Sequence, residues 1–222
     1  MDKIINIETA MSFIHDESVL MIGGFLSNGT PEHLVDAIVE KGYKDLTVIA
    51  NDSGLNEKTG IGKLVSAKLV KNLIASHIGT NPETGRQMSE GTLNVTLVPQ
   101  GTLAEQVRAG GVGLGGILTP TGVGTEVAKG KNVIVIDGKE YLLEKPLKAD
   151  VALIRGTFVD EAGNIYYDGT TKNFNPLMAQ AADTVIAVAE KIVPTGEINP
   201  NHVMTPGIFV DYILEEEQEE AK

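Results

Sequence analysis

The chain has no cysteine and no tryptophan in its 222 residues. The first absence excludes disulfides, thiolate nucleophiles and Cys-ligated zinc, and fits a cytoplasmic enzyme. The second, with only five Phe and five Tyr, argues against an aromatic platform for stacking single-stranded bases. Positive charge is scarce: 18 Lys and Arg against 30 Asp and Glu leave a formal net charge of −12, which argues against nucleic acid as the main partner. No run of about 18 apolar residues occurs, so no membrane-spanning helix is expected. Met1 to Glu8 lacks the long apolar core of a secretory leader. No G-x-x-x-x-G-K-[ST] and no G-x-S-x-G occurs, which removes the P-loop and the nucleophile elbow. His15, His33, His77 and His202 show no ligand spacing, so no metal site is expected.

What remains is an apolar fraction of 42%, enough for a substantial core. Short apolar runs alternate with helical stretches, which favours one α/β domain over residues 1–214. Glu215-Glu-Glu-Gln-Glu-Glu220 opens an acidic tail over 215–222 that is expected to be a solvated extension.

The most informative stretch runs from Ser18 to Pro31. Val19 to Ile22 reads as a buried strand stopped by Gly23 and Gly24, whose backbones a ligand can approach closely. Thr30 then reads as an N-cap and Pro31 as the first helical residue. A strand, a glycine loop and a helix start can present N–H donors to an anion or a developing oxyanion. A plain βα turn would use the same residues.

Along the chain, Ile5 to His15 reads as a helix. Pro31 to Lys41 follows, with Leu34, Val35, Ile38 and Val39 at helical spacing and Gly42 as C-cap. Leu46 to Ala50 is a strand, Ile61 to Lys68 a short helix, Val70 to Ile78 a strand, Pro82 to Glu90 a short helix and Leu93 to Val98 a strand. Thr102-Leu-Ala-Glu105 has the capping-box pattern, so a helix should begin there. After a glycine-rich segment, Val133 to Ile136 and Tyr141 to Leu143 flank Asp137-Gly138 as a hairpin. Val151 to Ile154 and Ile165 to Tyr167 read as strands around a turn at Asp160 to Asn164. Asn173 to Ala182 reads as a helix, Val185 to Val188 as a strand, and Ile208 to Leu214 as a last strand or short helix.

Four predicted strands end in small or polar clusters: Gly23-Gly24, Asn51-Asp52, His77 to Thr80, and Gln100-Gly101. In an open parallel sheet ligands bind outside the carboxyl ends of the strands, so these clusters should share one rim. Gly111-Val-Gly-Leu-Gly-Gly116 formally matches a dinucleotide fingerprint, but it follows a predicted helix rather than a strand, so the context fails. A loop from Gly110 to Thr125 that closes over a substrate is the better functional reading, beside a merely irregular loop. His77 sits at a strand end, where a surface histidine is the ordinary reading. Glu90 in Ser89-Glu90-Gly91 ends a short helix, where an exposed Glu is ordinary. The chain thus offers an oxyanion-stabilising rim without an obvious activated nucleophile: either it binds without catalysing, or the nucleophile comes from elsewhere.

Asp16 to Pro31 closely resembles the N-terminal signature of family I coenzyme A transferases. Ile49 to Asp52, Gly79 to Gly85, Val98 to Glu105, Thr119 to Thr125 and Lys172 to Pro176 resemble the same family, specifically its alpha subunit of the acetate/acetoacetate type. Glu17 departs from the pattern, which usually has Gly or Asn there, but it precedes the strand. The resemblance implies an α/β fold with an open, mostly parallel sheet, helices on both faces and an antiparallel C-terminal part, as in ribose-5-phosphate isomerases. It implies a ping-pong transfer of CoA between an acyl-CoA and acetate, butyrate or acetoacetate. The glutamate nucleophile belongs to a Ser-Glu-Asn-Gly motif of a beta subunit, in an α2β2 assembly. Coenzyme A is then a co-substrate, and no permanently bound cofactor is expected. The catalytic set carried over is Gly23, Gly24, Asn51 and Gln100. The CoA-facing set is Gly23, Gly24, Phe25, Leu26, Ser27, Asn28 and Gly29. The acidity of this chain suggests that the beta subunit holds most of the CoA phosphates. A self-sufficient sugar-phosphate isomerase, with Asp52 as the only close candidate for a base, and a non-catalytic ligand-binding regulator are the rival readings.

Overall fold

Short strands rich in Val, Ile and Leu, each followed by an amphipathic helix, build the first half of the chain. The computed structural model describes residues 3–216. Helix α1 (Ile7–Met11) leads into β1 (Val19–Ile22), α2 (Glu32–Lys41), β2 (Leu46–Ala50), α3 (Ile61–Ser66), β3 (Val70–Ala75), α4 (Pro82–Glu90), β4 (Asn94–Leu97) and α5 (Gln100–Gly111). Next come β5 (Ile117–Thr119), β6 (Val133–Ile136) and β7 (Lys139–Glu144), then β8 (Ala149–Asp160), β9 (Ile165–Tyr166), α6 (Asn175–Met178), β10 (Ala182–Val193) and β11 (Tyr212–Glu215).

The main sheet has eight strands in the order β11-β10-β8-β1-β2-β3-β4, with β9 paired antiparallel to β8. All other neighbours in it are parallel. The mostly parallel α/β sheet is as expected, and the structure locates its antiparallel portion. That portion is β9 and a separate mid-chain sheet, β5-β7-β6. The C-terminal strands β8, β10 and β11 instead extend the parallel sheet.

Alternation of side chains along the strands gives the sheet two buried faces. Leu20, Ile22, Val48, Leu153 and Ile186 pack with Leu34, Val35 and Ile38 of α2 and Leu64 of α3. Met21, Ile49, Ala152, Ile154 and Ala187 pack on the other face with Leu103 and Val107 of α5 and Met178 of α6. Helices therefore cover both faces, which explains why the central strands are apolar without interruption.

Several boundaries differ from the sequence reading. Thr30 does not cap α2: Pro31 is the N-cap and no side chain caps the helix, while Gly42 does close it at φ 70°. The first helix is only Ile7–Met11. Helix α5 begins at Gln100 behind Pro99, so Thr102 lies inside it and forms no capping box. The helix expected over 173–182 shrinks to α6, and β10 already begins at Ala182. Strands β8 and β10 are each 12 residues long, far beyond their apolar cores. The hairpin at Asp137-Gly138 forms as expected, with φ 51° and 76° in its turn. The acidic tail starts later than expected, because Glu215 belongs to β11 and Glu216 is bound to Arg155. Residues 217–222 of it lie outside the described residues.

Tyr167 heads the large side chains that are fully buried among the described residues, 1% exposed, and its hydroxyl bonds Thr205 Oγ1 at 2.8 Å. Burial raises its pKa above the ordinary value, partly offset by that hydrogen bond. The unfolded phenol ionises near pH ~10, whereas the folded one keeps its proton. The stabilisation is therefore complete below about pH 10 and is lost as pH rises above it. Thermal melts between about pH 9 and 11.5 should show a fall in midpoint that is shallower in Tyr167→Phe; equal slopes would refute the assignment.

Candidate functional site

The strand order reverses at β1. Successive strands run outward through β2, β3 and β4 on one side, and through β8, β10 and β11 on the other. Such a switch point opens a crevice at the carboxyl ends of the strands. Ile22 lies opposite Ala50, Ile49 opposite Ile74, and Ala75 opposite Leu97. The segments after β1, β2 and β3 and the start of α5 therefore leave the sheet at one level, and the expected rim exists.

Its centre is a pair of side-chain amides. Asn51, 3% exposed, follows β2, and its Oδ1 accepts from Gln100 Nε2 at 2.7 Å. Gln100 opens α5, so helix geometry fixes where its side chain departs. Ser76, which follows β3, supplies the third member. Its backbone N–H and its hydroxyl donate to the Asn51 carbonyl at 3.0 and 2.7 Å, and its Oγ also contacts Gln100 Oε1. With Gln100 Nε2 committed to Asn51 Oδ1, the amide orientations are set: Asn51 Nδ2 donates to no residue among those described and is the donor left for a ligand. Sequence reading missed Ser76, because a serine at a strand end carries no signal of its own.

The glycine loop is arranged differently from the expectation. Gly23 N–H is not free: it donates to Leu153 O of β8 at 2.9 Å and so continues the sheet. Gly24 N–H is taken by Asn173 Oδ1 at 3.1 Å. Phe25 and Asn28 exchange backbone hydrogen bonds of 3.0 and 2.9 Å around Leu26 and Ser27, at φ 47° and 70°. Two positive φ values in a two-residue turn match the I′ pattern, which Gly and Asn favour and Leu does not. Two such residues cost on the order of 1–3 kcal/mol each, so the surroundings must hold them. Asp52, 3% exposed, does part of this, accepting from Leu26 N–H at 3.0 Å and Gly54 N–H at 2.7 Å. Asn175 donates to Gly29 O at 3.0 Å and accepts from Arg155 N–H at 3.2 Å. The N–H groups of Ser27 and Gly29 make no hydrogen bond among the described residues, so the donors this loop offers are those two rather than Gly23 and Gly24.

Burial disfavours the charged form of Arg155, but its hydrogen bond to Glu216 and the charge of Glu190 outweigh this and raise its pKa. The cation next to Asn175 is thus already engaged by two carboxylates.

The glycine-rich segment splits. Gly110 and Gly111 end α5, close against Leu147 and Gln180, and Ile117–Thr119 forms β5, which the sequence reading did not anticipate. Leu118, Thr119 and Thr121 face Pro99, Gly101 and Thr102 across a cavity of about 480 Å³ beside Gln100. The segment therefore does reach the rim. The formal G-x-G-x-x-G begins at a helix end and runs into β5, which agrees with its rejection. His77 is exposed at the end of β3, and Glu90 pairs with Arg86 on α4. No group of three or more His, Asp or Glu that could hold a metal ion occurs among the described residues. No helix among them is long and apolar enough to cross a membrane.

Comparison with known proteins bears on this rim. The family model described as coenzyme A transferase matches residues 4–216. The chain is 56% identical over 214 residues to the acetoacetyl-CoA:acetate/butyrate CoA transferase alpha subunit of Clostridium acetobutylicum, covering 96% of this chain and 98% of the relative. It is 52% identical over 212 residues to the acetate CoA-transferase subunit alpha of Escherichia coli, covering 96% of each. Among solved structures it is similar to an acyl-CoA transferase of Escherichia coli O157:H7 in a thioester complex with CoA. The TM-score is 0.87 at 24% identity, over 99% of this chain and 48% of that one. The chain thus spans about half the length of that structure's polypeptide. At that identity the likeness is one of fold.

Proposed function

We propose, from the premise that this chain belongs to the coenzyme A transferase family, that it is the alpha subunit of a short-chain acyl-CoA:carboxylate CoA-transferase. The observation that carries the reading is the Asn51–Gln100 amide pair at the switch-point rim, set beside a strained turn. The alpha-subunit names of the relatives support a partner chain. In the proposed reaction a glutamate of a beta subunit attacks the thioester carbonyl and expels CoA thiolate, leaving an acyl-glutamyl anhydride. The thiolate then attacks the glutamyl carbonyl, releasing the first carboxylate and forming a glutamyl-CoA thioester. A second carboxylate reverses both steps and leaves as its own CoA ester. Every step passes through an oxyanion, which Asn51 Nδ2 and the N–H groups of the 25–29 loop would stabilise from this side. Their amides bind charge without competing as nucleophiles. A closed rim would also keep water from hydrolysing the anhydride. Acetate, butyrate and acetoacetate are the proposed carboxylates, and α2β2 the proposed assembly.

The isomerase reading finds no support at Asp52. Both carboxylate oxygens of Asp52 already accept backbone N–H groups, so the residue serves as a tether. The test is CoA exchange between acetoacetyl-CoA and acetate, with this chain alone and with its beta-type partner co-expressed. Turnover only with the partner, and a glutamyl-CoA adduct on that partner, is the expected result. Turnover by this chain alone would overturn the split-site reading.

A further inference from the structure

The strained turn needs an external grip, and one side chain holds both of its ends. Asn173 lies 149 positions from Gly24 in sequence and comes to it from the β8 side of the switch point. Its Oδ1 accepts from Gly24 N–H at 3.1 Å and from Phe174 N–H at 2.7 Å. Its Nδ2 donates to Asn28 O at 3.0 Å, with Thr170 O and Thr171 O at 3.1 and 3.2 Å sharing the same two hydrogens. One amide thus closes a bracket from the entry of the turn to its exit. Asp52 holds only the middle of the turn, through Leu26 N–H. Asn173 sits at φ 20° and ψ −118°, outside the left-handed helical region that asparagine tolerates, so the residue that grips the turn is itself held under backbone strain.

We infer that Asn173 is a positioning residue of the CoA-transfer site, an inference that rests on the function proposed above. By gripping Gly24 N–H and Asn28 O it keeps Leu26 and Ser27 at positive φ, and so fixes the direction of the unpaired N–H groups of Ser27 and Gly29. Without it the turn relaxes toward negative φ, and those donors turn away while the Asn51–Gln100 pair stays in place. The substrate would still bind, but the oxyanion would lose part of its stabilisation. Loss of the grip should therefore act on kcat more than on KM.

The variant that isolates the side chain is Asn173→Gly, because glycine accepts the same backbone conformation and removes only the amide. It is made in the alpha–beta complex and read in two ways. Steady-state CoA exchange should show kcat down about tenfold or more, the scale of one or two lost hydrogen bonds, with KM for the acyl-CoA within about threefold. Amide hydrogen exchange over residues 24–29 should be faster, while the complex stays folded at the assay temperature. Unchanged exchange over 24–29, or an unchanged kcat, overturns the inference. If the glycine variant yields no folded complex, Asn173→Asp carries the test, since its carboxylate keeps the Gly24 contact and loses the donation to Asn28. Faster exchange at Asn28 and Gly29 with a lowered kcat then supports the role, and wild-type behaviour removes it. A wild-type complex that moves no CoA ends the functional reading, and the proposed role with it. The exchange data still report whether the grip exists, so the two failures stay distinguishable.

Discussion

Gly23→Ala should destabilise the folded chain by about 3 kcal/mol or more, at the upper end of what overpacking costs. The cause is space rather than backbone strain. A Cβ on Gly23 would stand 1.8 Å from Asn175 Oδ1 and 2.6 Å from its Cγ. Asn175 has nowhere to go: it is 0% exposed and bound to Arg155 N–H, Gly29 O and Thr171 O. Moving it breaks interior hydrogen bonds, and each buried group left unpaired costs roughly 1–3 kcal/mol. For a chain of this size the midpoint should drop by about 6–12 °C, at roughly 2–4 °C per kcal/mol. The check is denaturant unfolding of Gly23→Ala, Asn175→Ala and the double variant. Because both substitutions act on the same space, the double variant should be less destabilised than the sum of the singles. A single Gly23→Ala within about 1 kcal/mol of the parent chain would show that the interior there gives way more easily than this packing allows.

The same contact shows what a sequence can and cannot disclose. The rim was legible because β1 to β4 are short apolar runs that stop at small or polar residues, and a short run with an abrupt stop is readable without tertiary information. Asn51 and Gln100 could be placed on the same rim for that reason, although β3 separates their strands. Their direct hydrogen bond could not, since it depends on α5 beginning at Gln100 rather than at Thr102. There the capping-box pattern pointed two residues too late, and Pro99 set the start instead. Strands β8 and β10 were seen only where they cross the buried sheet. Beyond it they pair mainly with each other, carrying Arg155, Thr157, Glu190 and Lys191, whose polarity hides the extended backbone. Strand β5 is three residues inside a glycine-rich stretch and exists through its pairing with β7. Asn173 and Asn175 were the least legible. Their roles lie in contacts across roughly 150 positions, and locally the stretch reads only as the start of a helix. The N–H of Gly23 was misjudged for a related reason: only the placement of β8 beside β1 shows that Leu153 takes it.

Asn51→Ala should reduce CoA exchange by the alpha–beta complex about 10²–10³-fold in kcat, the range that follows loss of one oxyanion donor of about 2.7–4 kcal/mol. The side chain is 3% exposed and oriented on its oxygen side by Gln100, so its remaining donor is held in place before substrate arrives and needs no reorganisation during the reaction. Gln100→Ala should cost less, because it frees Asn51 to rotate without removing it. The two effects should not add: once Asn51 is gone, the Gln100 amide has lost the partner through which it acts. Asn51→Asp should be at least as harmful as Asn51→Ala, since a carboxylate there would repel both the developing oxyanion and the incoming carboxylate substrate. Complex formation should be unaffected in all three, which separates a catalytic loss from a failure of assembly. An Asn51→Ala complex that assembles and keeps kcat within about threefold of the parent would remove Asn51 from the chemistry. The oxyanion would then be left to the 25–29 loop and the partner chain. In that case the tether at Asn173, rather than the amide pair, would be the part of this subunit on which turnover depends.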